Sequence, residues 1–160
     1  NPFARLRASP WLRYTESVNE SRAIERMRGW HVIIAASGMC DAGRVKHHLR
    51  HNLGRAECSV LITGFQAQGT LGRRLVDGAR RVRIFGEEIT VRASIHTLGG
   101  LSAHADQPAL LHWAAGFRQP PGRTFVVHGE ASSSEALAAR LQSDLGWNVV
   151  VPEPDSSTAL

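Results

Sequence analysis

Apolar residues form short continuous runs that alternate along the chain with stretches of helical spacing. Continuous runs of this length are typical of buried strands. They predict strands at HVIIAA (31–36), SVLITGF (59–65), RVRIFG (81–86), EITVRASIHTL (88–98), TFVVHG (124–129) and WNVVVP (147–152). Two of them, RVRIFG and EITVRASIHTL, are predicted to form a hairpin that turns at Gly86 and Glu87.

The stretches of helical spacing predict helices over residues 15–29, 43–54, 70–79, 106–117 and 132–146. The first is predicted to open with a capping box of Ser17 and Glu20 and to stop at Gly29, and the last to take a serine as its N-cap. Strand, loop and helix therefore alternate throughout the chain. This order predicts an α/β fold in which a mostly parallel sheet is covered by flanking helices.

Length and composition narrow the class of protein. A chain of 160 residues, 42% of them hydrophobic, has the size of one ordinary soluble domain or of two small pieces of larger domains. It has no apolar run long enough to cross a bilayer, no apolar segment typical of a secretion signal and no initiator methionine, so we expect no membrane association and a native start upstream of Asn1. Cys40 and Cys58 form neither a CxxC pair nor a disulfide framework, which predicts a reducing, cytoplasmic compartment.

Charge is divided unevenly between the two parts of the chain. Residues 1–92 contain 16 Lys and Arg against 8 Asp and Glu, a balance of +8, whereas residues 93–160 contain 3 against 6, a balance of −3. A basic half predicts a polyanionic partner, and nucleic acid is the usual one. The alternative is an arginine-rich surface that is merely solvated, and charge alone does not separate the two.

Polar residues follow several predicted strands at the ends where ligands bind in open α/β sheets. They are Ser37, Gln66, the segment 102–106 and His128. His128 leaves a buried run directly before a glycine, and a neutral imidazole there can bind a metal or act as a general base. His104 lies among small residues before a helix and can transfer protons. Position alone favours a plainer alternative for each: His128 as a core histidine and His104 as a surface histidine.

Two small-residue loops lead into predicted helices and are candidates for binding phosphate through backbone amides and the helix dipole. The SGMCDAG loop, which includes Ser37 and Gly38, is followed by Arg44 and Lys46, and QAQGTLGRRL begins at Gln66. The first of these helices contains three histidines in the segment HHLRH, and two of them, His47 and His51, are one turn apart. We do not expect a metal there, because no third ligand is evident and the helix is rich in cations.

Five segments occur in an order that resembles a known family: ASGMCDAGRVKHHLRHNL, TGFQAQGTLGRRLVDGA, VRIFGEEITVRA, GLSAHADQ and VVHGE. Together they resemble the C-terminal half of the β-CASP ribonucleases of the metallo-β-lactamase superfamily, which include the cleavage and polyadenylation endonuclease and its archaeal and bacterial relatives. The resemblance runs from about residue 12 to residue 151. It implies that residues 1–92 are the C-terminal part of a β-CASP domain and that residues 93–160 are the returning segment of a metallo-β-lactamase αββα domain.

The resemblance also implies roles for single residues. His104, in GLSAHADQ, matches the family's motif B histidine, which assists proton transfer or holds the scissile phosphate. His128, in VVHGE, matches the motif C histidine, a zinc ligand in RNA-cleaving members; some DNA-directed relatives have valine there, so His128 favours RNA. Ser37 and Gly38 match the loop that meets the phosphate backbone, and we count Ser102 among the phosphate-binding residues.

The family's zinc site is incomplete in this sequence, which contains no HxHxDH motif. In the family this motif, a further His and Asp, and the acidic motif A lie in the N-terminal half. The resemblance implies that two zinc ions activate a hydroxide for attack on phosphorus in the full-length enzyme, leaving a 5′-phosphate and a 3′-hydroxyl. We expect this chain alone to bind no zinc tightly and to be inactive.

These observations predict an RNA-processing, zinc-dependent endoribonuclease that acts on single-stranded RNA, of which this chain is a part without the HxHxDH site. One alternative is a non-catalytic fragment that binds nucleic acid through its basic half. Another is an unrelated α/β domain that binds phosphate esters or nucleotides. A homodimer is left open. Base stacking is expected to contribute little, with Phe65 as its candidate platform.

Overall fold

The computed structural model describes Arg5, residues 8–102 and residues 104–157, and the chain divides into two compact units. The first unit extends to Leu101 and the second begins at Ser102. Each unit has a hydrophobic core of its own. Over the described ranges, no helix is both long enough and apolar enough to cross a membrane.

The first unit combines helices with pairs of short strands. Its described elements are, in chain order, α1 (Val18–Ala23), a 3₁₀ turn (Ile24–Arg26), α2 (Gly43–Asn52), β1 (Ser59–Ile62), α3 (Leu71–Val76), β2 (Arg81–Ile84), β3 (Glu87–Thr90) and β4 (Ser94–Thr97). β1 and β4 are parallel, with Ile62 opposite Thr97, so the loops that follow these strands leave the same edge. β2 and β3 form an antiparallel hairpin.

Apolar residues on α2, α3, β1 and β2 build the core of the first unit. Leu49 and Leu53 are buried at helical spacing, and Leu53 is completely enclosed. On β2 the buried residues Val82 and Ile84 alternate with exposed arginines, as expected of a strand with one face in the core. The carbonyl oxygen of Leu53 accepts from the N–H of Ala93 (3.0 Å), which ties the end of α2 to the approach to β4.

The second unit is smaller, and its strands are very short. Its described elements are α4 (Gln107–Ala114), β5 (Thr124–Phe125), α5 (Ala131–Leu145) and β6 (Val149–Val150), with β5 and β6 parallel. Asp106 caps α4 by accepting from the N–H of Ala109 (2.9 Å), and α5 ends at Gly146, whose φ of 67° suits a glycine. Leu141 and Trp147 belong to the core of this unit.

The predicted α/β architecture is confirmed, with two parallel strand pairs. Each predicted helix is present: the first four are shorter than predicted, and the last has the predicted length but starts one residue earlier. The capping box of α1 is also present. The Ser17 hydroxyl accepts from the N–H of Glu20 (3.2 Å), and the Glu20 carboxylate accepts from the N–H of Ser17 (3.0 Å). The predicted domain boundary between residues 92 and 93 stays a prediction, while β4 belongs to the first unit by its pairing with β1.

The predicted buried strand at HVIIAA (31–36) is wrong for the described structure. The run forms no strand, and Val32 and Ile34 are 80% and 88% exposed. A strand requires a hydrogen-bonding neighbour, and none of the strands that the structure describes pairs with this run. Its apolar pattern therefore identifies a segment that lacks a partner within the described residues.

Two boundary predictions are also corrected. The hairpin turns at Phe85 and Gly86, because Ile84 lies opposite Glu87 in the strand register. The predicted serine N-cap of α5 is wrong: the helix starts at Ala131, and Glu130 occupies the N-cap position without a side-chain cap. The serines of this segment are thus placed within the first turn rather than ahead of it.

Candidate functional site

The loop that precedes α2 is a tight turn with unusual backbone conformations. Ser37 and Cys40 have left-handed φ angles of 73° and 63°, and Gly43 has a φ of 71°. The N–H of Cys40 donates to the carbonyl oxygen of Ser37 (2.9 Å), and the Cys40 side chain is buried whereas Gly38 is exposed. Left-handed residues other than glycine are uncommon and cluster at functional sites. The loop predicted to meet phosphate is therefore a preformed turn with part of its backbone in solvent.

α2 begins directly after this loop without a side-chain cap. Its N-cap residue is Ala42, so no side-chain oxygen satisfies the first amides of the helix, which carry the positive end of its dipole. Arg44 is exposed, and its Nη1 donates to the carbonyl oxygen of Thr15 (2.7 Å). The Lys46 ammonium lies 5.1 Å from the centroid of the Phe85 ring. An uncapped helix start with two nearby cations is suited to bind a phosphate.

Gln66, predicted as a phosphate-binding residue, lies inside the first unit. Its Nε2 donates to the carbonyl oxygens of Gly38 (2.9 Å), Gly64 (3.3 Å) and Phe65 (2.9 Å), which joins the loop before α2 to the loop after β1. Its Oε1 lies so close to Gly72 that an added Cβ at that glycine would overlap it. The contacts of the Gln66 side chain are structural, and a phosphate contact by this residue stays a prediction.

The first amides of α3 already have acceptors. The N–H of Leu71 donates to Oδ1 of Asp41 (3.0 Å), and the N–H of Gly72 donates to the carbonyl oxygen of Met39 (3.0 Å). The next amide along the helix donates to the Thr70 hydroxyl (3.2 Å). The loop before α2 thus occupies this helix start with a carboxylate and a carbonyl. The structure does not offer the anion site that the sequence predicts at QAQGTLGRRL.

Both motif histidines belong to the second unit, and both are exposed. The N–H of His104 donates to the hydroxyl oxygen of Ser102 (3.2 Å), and the ring Nδ1 lies 3.4 Å from the same oxygen. The Ser102 hydroxyl therefore contacts both the backbone and the ring of His104. These two contacts orient the exposed His104 ring.

His128 follows β5 in a left-handed conformation, with a φ of 64°. The next residue, Gly129, packs so tightly on the first turn of α5 that an added Cβ would overlap Oγ of Ser134. Ser134 is itself buried. Glycine is therefore the residue that fits at position 129, and the turn it makes with His128 holds the imidazole of His128 in solvent.

Within the described residues, no group of three or more His, Cys, Asp or Glu side chains is placed to hold a metal ion. Structural zinc usually takes four protein ligands, and catalytic zinc takes three and a water. The described residues therefore do not fit a complete zinc site. Among these residues, His128 presents one exposed imidazole.

The histidine trio on α2 has contacts other than a metal. His48 is buried, and its Nε2 lies 3.0 Å from the hydroxyl oxygen of Ser21 on α1. Burial lowers the pKa of His48, and the carboxylate of Glu25 partly opposes that shift. Three further groups lower the same pKa through their charges: His47, Arg44 and His51. His51 Nδ1 lies 4.0 Å from the Glu25 carboxylate.

Two side-chain contacts inside the first unit are absent from the sequence-based predictions. The contact of the Gln66 side chain with Gly72 could have been found from the sequence, because a glycine inside a helical run indicates that another group approaches closely. The contact between Ser21 and His48 has no such signal, because the two residues are 27 positions apart and no motif links them.

Two family models match the chain. The Beta-Casp domain matches residues 4–75, and the Zn-dependent metallo-hydrolase RNA specificity domain matches residues 88–152. The first match contains the loop before α2, and the second contains both motif histidines. The chain belongs to the β-CASP family of metallo-β-lactamase-fold ribonucleases, which confirms the resemblance drawn from its five motifs.

Several relatives support this assignment. Ribonuclease TTHA0252 of Thermus thermophilus is 42% identical over 130 residues, which are 81% of this chain and 29% of that protein. The transcription termination factor FttA of Pyrococcus abyssi is 33% identical over 126 residues, 76% of this chain and 19% of that protein. An RNase J-like protein of Methanocaldococcus jannaschii is 31% identical over 121 residues, 76% of this chain and 28% of that protein. The chain thus spans less than a third of these relatives.

Proposed function

We propose that this chain is part of a cytoplasmic, zinc-dependent endoribonuclease that hydrolyses single-stranded RNA during RNA processing. The observation that carries the proposal is the pair of exposed motif histidines, His104 and His128, in one unit of a ribonuclease-family chain. Membership of the family and the RNA specificity domain support RNA as the substrate class.

The first unit contributes phosphate binding to this function. The uncapped start of α2 offers amides and the positive end of a helix dipole, and Arg44 and Lys46 add charge beside it. Ser37 and Gly38 form the turn through which the RNA backbone approaches. The balance of +8 over residues 1–92 supports a polyanionic ligand for this part of the chain.

The second unit contributes the groups that act at the phosphodiester. His104, oriented by Ser102, is proposed to donate a proton to the leaving 3′-oxygen or to hold the scissile phosphate. His128 is proposed as one ligand of a metal ion. A bound zinc ion supplies Lewis-acid chemistry in such enzymes. Because the described residues contain no set of three metal-binding side chains, we assign His128 no further role.

A non-catalytic function in nucleic-acid binding is the second candidate. It is favoured by the same absence of a metal-binding group among the described residues, together with the basic charge of residues 1–92. Both candidate functions require RNA binding, but only the endoribonuclease cleaves the bound RNA. RNA cleavage measured with added zinc, on this chain and on a longer one that includes the HxHxDH motif, separates them.

Phosphate binding by the first unit is tested by the salt dependence of RNA affinity. The logarithm of the affinity for a single-stranded oligoribonucleotide should fall linearly with the logarithm of salt concentration, with a slope of about −0.7 per phosphate contact. Substituting Lys46→Gln should weaken binding and make the slope shallower by nearly one contact. Arg140, which pairs with Asp144 in the second unit (2.7 Å), provides the control: Arg140→Gln should leave the slope unchanged. An affinity that hardly varies with salt would overturn the proposal.

A further inference from the structure

The tip of the β2–β3 hairpin carries an aromatic residue in a backbone conformation that disfavours it. Phe85 and Gly86 form the two-residue loop, with φ angles of 51° and 82°. Loops of this kind prefer Asn-Gly or Gly-Gly, because a left-handed φ is strained for a bulky side chain. The Phe85 side chain is nonetheless half exposed and not part of the core. An exposed ring at a left-handed position is therefore a candidate for a functional role.

The ring of Phe85 is held in place by side chains of α2. The imidazole of His47 lies with its centroid 4.5 Å from that of Phe85, tilted by 34°, and the Lys46 ammonium lies 5.1 Å from the Phe85 centroid. An aromatic residue at a hairpin tip would otherwise rotate freely. These contacts order the ring while leaving about half of the residue in solvent (50%).

The charges around the hairpin tip leave excess positive charge beside the ring. Glu87 is paired with Arg50 through two hydrogen bonds of 2.8 Å and 2.7 Å, and Glu88 is paired with Arg81 (3.2 Å). Both acidic residues next to the tip are therefore neutralised. Lys46 and the exposed Arg83 of β2 have no carboxylate partner among the described residues.

We propose that Phe85 is a stacking platform for an unpaired nucleobase of bound RNA, with Lys46 and Arg83 contacting the phosphates on either side. A half-exposed ring with a cation beside it, Lys46, on a hairpin whose first strand carries an exposed arginine, Arg83, combines the stacking surface and positive charge that single-stranded nucleic-acid sites use. The proposal assigns base stacking to Phe85 instead of Phe65, the platform predicted from the sequence. The inference rests on the proposed function, because it requires that the first unit bind RNA.

The test compares the affinities of the chain for a short oligoadenylate and for an abasic ribose-phosphate oligomer of the same length. The unchanged chain should bind the oligoadenylate more tightly. Phe85→Asn should lose most of this preference, about five- to a hundredfold for one stacked base. Its salt slope should stay unchanged, because Lys46 and Arg83 remain. Its melting temperature should be equal or higher, because asparagine accepts a left-handed φ.

Further variants separate the ring's function from its fold. Phe85→Leu keeps an apolar side chain without a π-face, so it should also lose the preference, whereas Phe85→Tyr should retain it. A melting temperature that falls in Phe85→Asn while the preference persists would mean that Phe85 is structural, and would overturn the inference. Loss of the preference in Phe65→Asn alone would also overturn it. Failure to bind even the abasic oligomer would instead overturn the proposed function.

Discussion

The two units of the chain differ in where they place their polar side chains. In the first unit Gln66 and His48 are enclosed, each hydrogen-bonded to a neighbouring element or loop. In the second unit His104 and His128 stand in solvent at the ends of short loops. Ser102 hydrogen-bonds to His104, and Gly129 packs against Ser134 directly after His128.

On the proposed function, this difference corresponds to a division between RNA binding by the first unit and catalysis by the second. In the first unit, internal hydrogen bonds of the Gln66 side chain hold two loops together, and arginines such as Arg44 and Arg83 are exposed on the surface. The second unit exposes the two histidines to which the proposed function assigns chemistry. Disturbing a polar residue should therefore cost stability in the first unit and activity in the second.

The largest expected effect lies in the second unit, in the complete enzyme. His104→Ala should lower the rate of RNA hydrolysis about 10²–10⁴-fold and leave bound metal unchanged, because a proton donor or phosphate contact is lost and no ligand is. His128→Ala should lose bound metal and activity together. Metal analysis and initial rates measure both effects, and the melting temperature should change little in either variant.

His112, an exposed histidine on α4, is the matched control for these substitutions. His112→Ala should leave the rate and the metal content unchanged. If His104→Ala loses zinc and His128→Ala keeps it, the two assignments are reversed. If both variants cleave RNA at the normal rate, the second unit has no catalytic role, and the contrast between the units fails.

An intermediate effect is expected inside the first unit. Gly72→Ala forces a methyl group onto Oε1 of Gln66 and towards the carbonyl oxygen of Met39, 3.1 Å from the new Cβ. Overpacking of this kind costs about 1–3 kcal/mol, which denaturant unfolding measures. Gly64→Ala is the control, because nothing lies within 4 Å of its added Cβ.

The double variant Gln66→Ala, Gly72→Ala sharpens that prediction. Removing the glutamine removes the overlap, so the two substitutions together should cost less than the sum of their separate costs. If the losses in free energy of unfolding are additive, the Gln66 side chain moves away from the new methyl group at no cost in stability. The first unit would then not depend on this enclosed side chain.

The smallest effect concerns the pH dependence of stability at His48. Burial lowers its pKa in the folded state, so the unfolded state binds more protons below about pH 6.5. Stability should therefore rise with pH up to that value and fall as the solution is acidified through the lowered pKa. His48→Gln should flatten the slope, and His112→Gln, at an exposed position on α4, should not. Equal slopes in all three proteins would contradict the enclosed role of His48.

Features determined by neighbouring residues could be predicted from the sequence. The capping box of α1, the apolar side of α2 and the Asp106 cap of α4 depend on spacings of three or four residues, and all are present. The two motif histidines were located through motif order, and the structure confirms their loop positions but not their roles.

Features determined by distant pairing could not be predicted. The run 31–36 has the composition of a buried strand, but a strand exists only with a partner, which one sequence does not name. The hairpin turn was misplaced by one residue because its position follows from the register of β2 and β3. That single residue decides whether Phe85 belongs to a strand or to the tip. The burial of Gln66 likewise depends on a loop 28 positions away.

Cys40 gives the loop before α2 a chemical marker of its own opening. Its side chain is buried, and burial together with the neighbouring charge of Asp41 raises the pKa of the thiol, so the thiolate that alkylating reagents require is scarce. A reagent can modify Cys40 only in molecules whose loop has opened. Cys58, which is less enclosed, serves as an internal reference. The labelling rate of Cys40 relative to Cys58 thus reports how often this loop opens. An RNA that occupies the loop should lower this relative rate, which can be measured without any engineered probe.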